Sequence, residues 1–366
     1  KAIIDLAREQ MFVGPGRGSG AGSLVNYVLG ITDVDPIKYG LLFERFLSPE
    51  RKELPDIDTD VGDRDKLLEI LREEFGSENI IPISNYNTFK LKSLVKDISR
   101  FYGIEFKEVN AMLSTLERDI KNGLRQDGIS LNGPLEPTLE WALKYSQKFQ
   151  AFVDKYPEIA EPIDVLFKQN KALGRHAGGV IVSENVKERM PLIKAKGELQ
   201  TPWVEGASYK HLEHFGWVKF DLLGLETLRI IQRTIELILK RKEGISNPTF
   251  KQVRKWFDNN MDPLKMDLDD QDVFKNVYHG GRWAGIFQCT QQGAQKLFQR
   301  AQPESIIDLA TLTSIYRPGP LAANVDKLYI HNKRNPDTID YKHPLIEEVL
   351  KETYGCIIFQ EQVMQL

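Results

Sequence analysis

The chain has 366 residues, with 49 Lys and Arg against 52 Asp and Glu, and 41% of its positions are hydrophobic. That length allows about two or three domains, and the apolar share excludes wholesale disorder. A net charge of −3 gives no global basic signature of a nucleic-acid binder, although the sum does not bar local basic faces.

Two cysteines, Cys289 and Cys356, make neither a disulfide framework nor a four-cysteine zinc site and suit a reducing compartment. No apolar run approaches the ~18 residues of a membrane helix and no signal peptide opens the chain. A cytoplasmic protein without a membrane partner is expected. The first residues fall inside an amphipathic pattern (Ile3, Ile4, Leu6, Ala7) and the last inside the apolar run 357–366. The sequence is therefore expected to be a segment of a longer polypeptide, or the product of a split gene.

In chain order, residues 1–47 read as helix, glycine-rich turn and helix. Residues 54–62 read as a short strand, followed by a helix from about Arg64 to Phe75. Residues 86–170 are mostly helical, with an interruption around Gly128–Pro137. Residues 176–183 and 215–223 are strand-like by β-branched and aromatic content. From about Leu225 the pattern is helical again, with breaks at Pro263, Gly280-Gly281 and Arg317-Pro318-Gly319-Pro320. Strands split around a helical insert predict an α+β core with an embedded helical domain.

Residues 14–23 pack five glycines and two serines and run into the helical pattern Leu24, Val25, Tyr27, Val28. Glycines let backbone amides approach an anion, and a following helix N-terminus adds partial positive charge. Phosphate binding is the functional reading; a flexible turn between helices is the plain one. The loop lacks the Gly-Lys-[Ser/Thr] of a Walker A motif. A dinucleotide fold is poorly supported, because only Met11-Phe12-Val13 precedes the loop as a strand.

In Asp56-Ile57-Asp58-Thr59-Asp60, side chains alternate across the strand, so three carboxylates share one face. Crowded carboxylates repel unless a cation sits among them, and hard Mg²⁺ suits carboxylates together with substrate phosphates. The alternative is a solvated edge strand or an Asx-turn, with which Pro55 is compatible. In Val218-Lys219-Phe220-Asp221-Leu222, Lys219 and Asp221 share one face and Val218, Phe220 and Leu222 are expected to form the buried one. A surface ion pair accounts for that pattern; so does a third metal ligand beside a phosphate-facing lysine. Two carboxylates on one strand, another on a neighbour and a glycine anion loop are the parts of two-metal phosphoryl transfer.

Longer blocks carry a family resemblance. Residues 14–51 (GPGRGSGAGSLVNYVLGITDVDPIKYGLLFERFLSPER), 55–60 (PDIDTD), 174–183 (GRHAGGVIVS), 218–228 (VKFDLLGLETL), 285–297 (GIFQCTQQGAQKL), 316–321 (YRPGPL) and 354–365 (YGCIIFQEQVMQ) together resemble the C-family bacterial replicative DNA polymerases, the DNA polymerase III alpha subunits. The resemblance implies a polymerase beta-like nucleotidyltransferase palm in an α+β chain, with an embedded helical thumb and a helical fingers region. The palm would take residues 1–85 and 171–224, the thumb 86–170, and incomplete fingers 225–366.

Residue by residue, the resemblance implies Asp56, Asp58 and Asp221 as the catalytic ligands of two Mg²⁺ ions. Gly18 and Ser19 would sit at the incoming triphosphate, with Arg45 and Lys219 neutralising it. For Arg45 the alternative is an intrahelical or core-edge ion pair. Arg317 would be a fingers contact to nucleotide or template, or else a turn-capping arginine. Asp60 lies outside the family's usual pair and is left as a neighbour. Primer–template DNA and deoxynucleoside triphosphates are the implied partners. The family's phosphoesterase-like N-terminal domain, its later fingers and its clamp-binding and single-strand-binding parts are not in the sequence. A sliding clamp is therefore implied only through those parts. Cys289-Thr290-Gln291-Gln292 departs from the more acidic, serine-containing run usual in the family, and the region 225–285 is divergent, which is compatible with a phage or remote member.

Lys90, Lys92, Lys96 and Arg100 stand against a single acid, Asp97, within 88–100, and Lys92, Lys96 and Arg100 recur every four residues. They are expected to form a basic stripe on duplex phosphates in the thumb, or a solvated helix face. Lys327, Lys333 and Arg334 make a weaker second patch. His211 and His214, three apart with no cysteine near, do not support zinc. His176 is expected to pack or hydrogen-bond rather than act as a base.

The expected function is a DNA-template-directed DNA polymerase segment that extends a primer 3′-hydroxyl by two-metal phosphoryl transfer. A non-catalytic nucleic-acid-binding fragment completed by a second chain is the alternative. An untemplated nucleotidyltransferase acting on a small acceptor is disfavoured by the long helical blocks.

Overall fold

The structure, a computed structural model, describes residues 1–49, 55, 57–129, 135–195, 197–206, 208, 210–263 and 265–366. Among the described residues six strands are formed: β1 (Asp58–Val61), β2 (Ile80–Thr88), β3 (Asn170–Val182), β4 (Ile193–Ala195), β5 (Glu198–Gln200) and β6 (Lys219–Gly224). Four of them make one sheet in the order β1-β6-β3-β2, and β4 and β5 pair as a separate antiparallel hairpin. β6, late in the sequence, lies inside the sheet, parallel to β1 and antiparallel to β3. Val13 extends the edge through an antiparallel bridge to Val61, which gives the Met11–Val13 segment a partner.

The chain forms two compact units, Lys1–Ile83 with His176–Trp203 and Ala207–Leu366, and Ser84–Arg175 with Val204–Gly206. In the first, the sheet is buried on both faces. On one side, Ile80, Val61, Val180 and Leu222 pack with Ile4 and Ala7 of helix Ala2–Gln10 and with Leu67, Leu68 and Leu71 of helix Arg64–Phe75. Leu67 and Leu71 stand four apart, which puts them on one helical face. On the other side, Ile81, Ile83 and Ile181 meet Val186, Met190, Leu212 and Trp217.

The helix after β1 runs from Arg64 to Phe75, with the expected bounds. The Asp63 side chain caps it by accepting from the Lys66 N–H at 3.0 Å, and Gly76 ends it at a φ of 88°. The expected buried face of 218–222 is only partly so. Leu222 is buried and Phe220 packs partly, whereas Val218 precedes β6, lies outside the packed cluster and is 44% exposed.

The second unit is helical, built from Leu91–Phe101, Phe106–Leu113, Leu116–Gln126, Leu139–Tyr145, Gln147–Lys155 and Ala160–Leu166. Leu94, Leu116, Ile120, Phe149 and Ile163 fill its core. Gly123 allows a close approach there, since an added Cβ would fall 2.1 Å from Tyr145 Cδ1.

Beyond β6 the first unit continues as helices Glu226–Lys242 and Phe250–Asn260, the latter opened by a Thr249/Gln252 capping box. Further on, Gln292–Ala301, Ile306–Ile315 and Val325–Arg334 enclose Cys289, Phe298, Leu312, Tyr329 and Cys356. The expected break at 317–320 is the start of a short helix, Pro318–Ala322, with proline in its first turn. The mixed α+β class read from the sequence is the class of this structure.

Candidate active site

Asp58 and Asp221 are 163 positions apart in sequence and direct partners in the parallel register of β1 and β6. Neighbouring strands run ~4.8 Å apart, and partnered residues project to the same side of the sheet. The two carboxylates are therefore adjacent. Across β6, the residue directly opposite Asp221 is Gly179 of β3, which has no side chain to set against the carboxylate. Gly178 and Gly179 also let β3 approach β6 closely: an added Cβ would fall 2.6 Å from Leu223 Cδ2 or 2.7 Å from His176 Nδ1.

Lys219 Nζ lies 3.0 Å from Asp221 Oδ2, with side chains only 9% and 13% exposed. The other Asp221 oxygen, Oδ1, is buried and accepts no hydrogen bond from the described residues. His176 Nδ1 lies 3.8 Å from it. That nitrogen also accepts the Gly178 and Gly179 N–H groups at 3.3 and 2.6 Å, so His176 is a hydrogen-bonding residue within β3, as expected. Arg64 ties the same region from below, donating from Nε to the Leu222 carbonyl at 2.9 Å.

The glycine-rich segment folds against this edge. Gly14 donates to the Asp60 carbonyl at 2.8 Å, and Gly18–Gly22 forms a 3₁₀ turn. Ser23 caps the short helix Leu24–Val28 by accepting from Asn26 N at 3.3 Å. Gly18 has a φ of 64°, and a Cβ there would fall 2.8 Å from Asp58 Oδ2, so the exposed turn touches the carboxylate directly. Ser19 is the next residue of the turn and is partly exposed. Asp60, which the alternation places on the same face as Asp58, pairs with Arg17 at 2.9 Å. Nothing in the sequence alone singled out Arg17.

Asp56 lies outside the described residues, so the structure brings together two of the three expected carboxylates, with Lys219, Gly18 and Ser19. Among the described residues no group of three His, Cys, Asp or Glu side chains is arranged to hold a metal. Arg45, on the short helix Phe43–Phe46, is held by Gln360 Oε1 at 2.9 Å and Glu361 at 2.7 Å. Arg317 is exposed at the N-cap of Pro318–Ala322.

In the helical unit, Lys92, Lys96 and Arg100 share a face of Leu91–Phe101, while Lys90 is the residue preceding it. The stripe is less bare than its local sequence, because acids arrive from elsewhere in the unit. Glu117 meets Lys92 at 2.7 Å and Glu136 pairs with Lys90. The lysine hydrogen bonds hold both carboxyls below the usual carboxylate range. Lys96 lies over the Phe106 ring at 5.5 Å, and Arg100 is 84% exposed with Asp97 at 3.5 Å. The second basic patch is corrected at Lys333: it forms a buried ion pair with Asp308 at 2.7 Å and is not a surface charge.

Residues 1–224 match the model of the bacterial DNA polymerase III alpha NTPase domain, and residues 227–366 that of the bacterial DNA polymerase III alpha subunit finger domain. The chain belongs to the bacterial DNA polymerase III alpha family. Its similarity to the DNA polymerase III subunit alpha of Aquifex aeolicus is 35% identity over 97% of the chain, and 30% of that relative is covered. The corresponding protein of Treponema pallidum is 36% identical over 97% of the chain, with 28% of its own length covered. That of Campylobacter jejuni is 33% identical over 97%, with 27% covered. The chain thus spans about 30% of the length of the curated relatives it matches. No helix among the described residues is long and apolar enough to cross a membrane.

Proposed function

We propose that this chain carries the polymerase beta-like palm, the helical thumb and part of the fingers of a cytoplasmic DNA-template-directed DNA polymerase. The reaction is in-line attack of a primer 3′-hydroxyl on the α-phosphate of a deoxynucleoside triphosphate, with release of pyrophosphate. The observation that carries this reading is the parallel register of Asp58 with Asp221 beneath a glycine turn that touches Asp58.

The donor set fits Mg²⁺: two adjacent carboxylates offer hard oxygens, and Asp221 Oδ1 is buried without a partner among the described residues. Asp58 and Asp221, with Asp56 assigned from the sequence, would hold two ions, which supply Lewis-acid activation and charge neutralisation at the phosphates. Lys219 orients Asp221 and adds positive charge beside it. The turn at Gly18 and Ser19 offers backbone amides to the triphosphate. Arg45 and Arg317 are further nucleotide contacts, and Lys90, Lys92, Lys96 and Arg100 are duplex contacts. Asp58→Asn and Asp221→Asn are expected to reduce primer extension to background with a near-wild-type circular-dichroism spectrum; the melting temperature stays near wild type in Asp58→Asn and falls in Asp221→Asn, which removes the carboxylate charge paired with Lys219. Templated extension by either variant would overturn the reading.

The chain's small share of its relatives' length favours a second reading, in which activity needs the remaining polymerase parts, through which a sliding clamp would also bind. Primer extension measured with and without those parts separates the two.

A further inference from the structure

From the ion pair between Arg17 and Asp60, we infer that Asp60 is a positioning residue and not a metal ligand: it fastens the glycine turn to β1 so that the turn meets Asp58. The inference rests on the polymerase reading for what the turn does, but not for how it is held. Asp60 is one alternation beyond Asp58 on β1, beside Leu223 of β6, and its side chain is 11% exposed. A carboxylate so placed invites assignment to the cation site. Its Oδ1 instead accepts from Arg17 Nη1 at 2.9 Å, which already neutralises it.

The geometry explains why a tether is needed at that point. At its start the loop is fixed by the Val13–Val61 bridge and by the Gly14 N–H donating to the Asp60 carbonyl at 2.8 Å. Gly14 lies so close that a Cβ would fall 3.0 Å from Asp60 Cβ. The chain then leaves β1 through Pro15 and Gly16, and must return for Gly18 to reach Asp58. Arg17, in extended backbone at φ −147°, is the residue just before Gly18. Its guanidinium reaches back to the strand that carries Asp58. One aspartate thus holds both ends of the excursion, by its carbonyl at Gly14 and by its carboxylate at Arg17. A charge-assisted bond of this kind holds direction as well as distance.

The test uses Asp60→Asn, Arg17→Ala and the double variant, with Asp58→Asn as the reference for a true ligand. Arg17→Ala leaves β1 unaltered, so it remains informative if Asp60→Asn folds poorly. Amide exchange of a peptide covering 14–22 should quicken about tenfold in each single variant and no further in the double, the loss expected for one hydrogen bond to a charged group. Equilibrium binding of dATP with Mg²⁺, primer absent, should weaken about as much. In extension assays on the polymerase-competent assembly, KM for nucleotide should rise and the half-saturating Mg²⁺ should stay at the wild-type value, unlike in Asp58→Asn. An unchanged exchange rate in 14–22, additive effects in the double variant, or a shifted Mg²⁺ requirement in Asp60→Asn would each overturn the assignment. If wild-type chain fails to bind dATP while the exchange responds as stated, the polymerase reading fails and the tether stands.

Discussion

Gly18 shows how one residue couples backbone conformation to site chemistry. A left-handed φ costs a non-glycine residue about 1–2 kcal/mol, and here the added Cβ would also press on Asp58 Oδ2 at 2.8 Å. Gly18→Ala is expected to lower unfolding free energy by ~1–2 kcal/mol in denaturant titrations and to weaken triphosphate binding more than Ser19→Ala does. Lys219 poses the opposite problem, a charge that must stay. Removing one partner of a buried pair leaves the other uncompensated and costs about 3–5 kcal/mol. With Lys219 and Asp221 side chains 9% and 13% exposed, Lys219→Met should destabilise the chain strongly, whereas Lys219→Met/Asp221→Asn should recover much of the loss. Urea midpoints of the wild type and the two variants check this.

At the scale of elements, two regions respond to pH in opposite directions. In the helical unit, hydrogen bonds from Lys155 to Glu108, Lys92 to Glu117, Lys144 to Asp127 and Lys90 to Glu136 hold these carboxyls below their ordinary values. A carboxyl with a lowered folded pKa stabilises the fold above its unfolded value and loses that contribution as pH falls through the lowered one. The unit should therefore loosen below roughly pH 4.5, visible as faster amide exchange in 91–126. These surface pairs make the effect small and salt-sensitive.

In the region from Phe274 onward the groups are weak acids kept neutral by burial. The Cys356 thiol is pushed up to about 11 from 9.0, and burial likewise raises Cys289, Tyr278, Tyr329 and Tyr354. Their contribution is complete below the unfolded values and lost as pH climbs through the folded ones. For Cys356 the loss falls between about pH 9 and 11 and amounts to on the order of 2–3 kcal/mol. Denaturation midpoints from pH 8 to 11 should fall, and less steeply in Cys356→Ala. Both native thiols should resist alkylation at pH 8 until the chain is unfolded. The basic stripe gives one more expectation at this scale. If it contacts duplex phosphates, Lys96→Ala should reduce the salt slope of DNA binding by about 1, while Glu117→Gln, which frees Lys92, should tighten binding at low salt.

For the whole molecule, the sequence was most informative where local signals agreed with the final environment. The helix Arg64–Phe75 carried its own cap, apolar spacing and terminal glycine, and its bounds are as read. The placement of Asp58 and Asp221 on strands followed from alternation, but their adjacency did not, because strand pairing over such a separation leaves no local trace. β2 went unread: Pro82 interrupts its apolar start, and Asn85 to Thr88 is polar, so neither strand template fits. The short β4–β5 hairpin escaped for want of length. Charge context failed similarly. Glu117 and Glu136 quiet a stripe that looks bare within 88–100, and Lys333 finds Asp308 only through the fold.

The central place of β6 has a consequence for biosynthesis. A ribosome makes β1 and β3 well before it makes Lys219–Gly224, yet the sheet needs that late segment between them. Until it emerges, the facing edges of both earlier strands carry unsatisfied peptide groups, a state prone to sticking to other nascent chains. Nascent chains arrested before residue 219 should therefore recruit chaperones or aggregate, and release a few tens of residues later should abolish that behaviour.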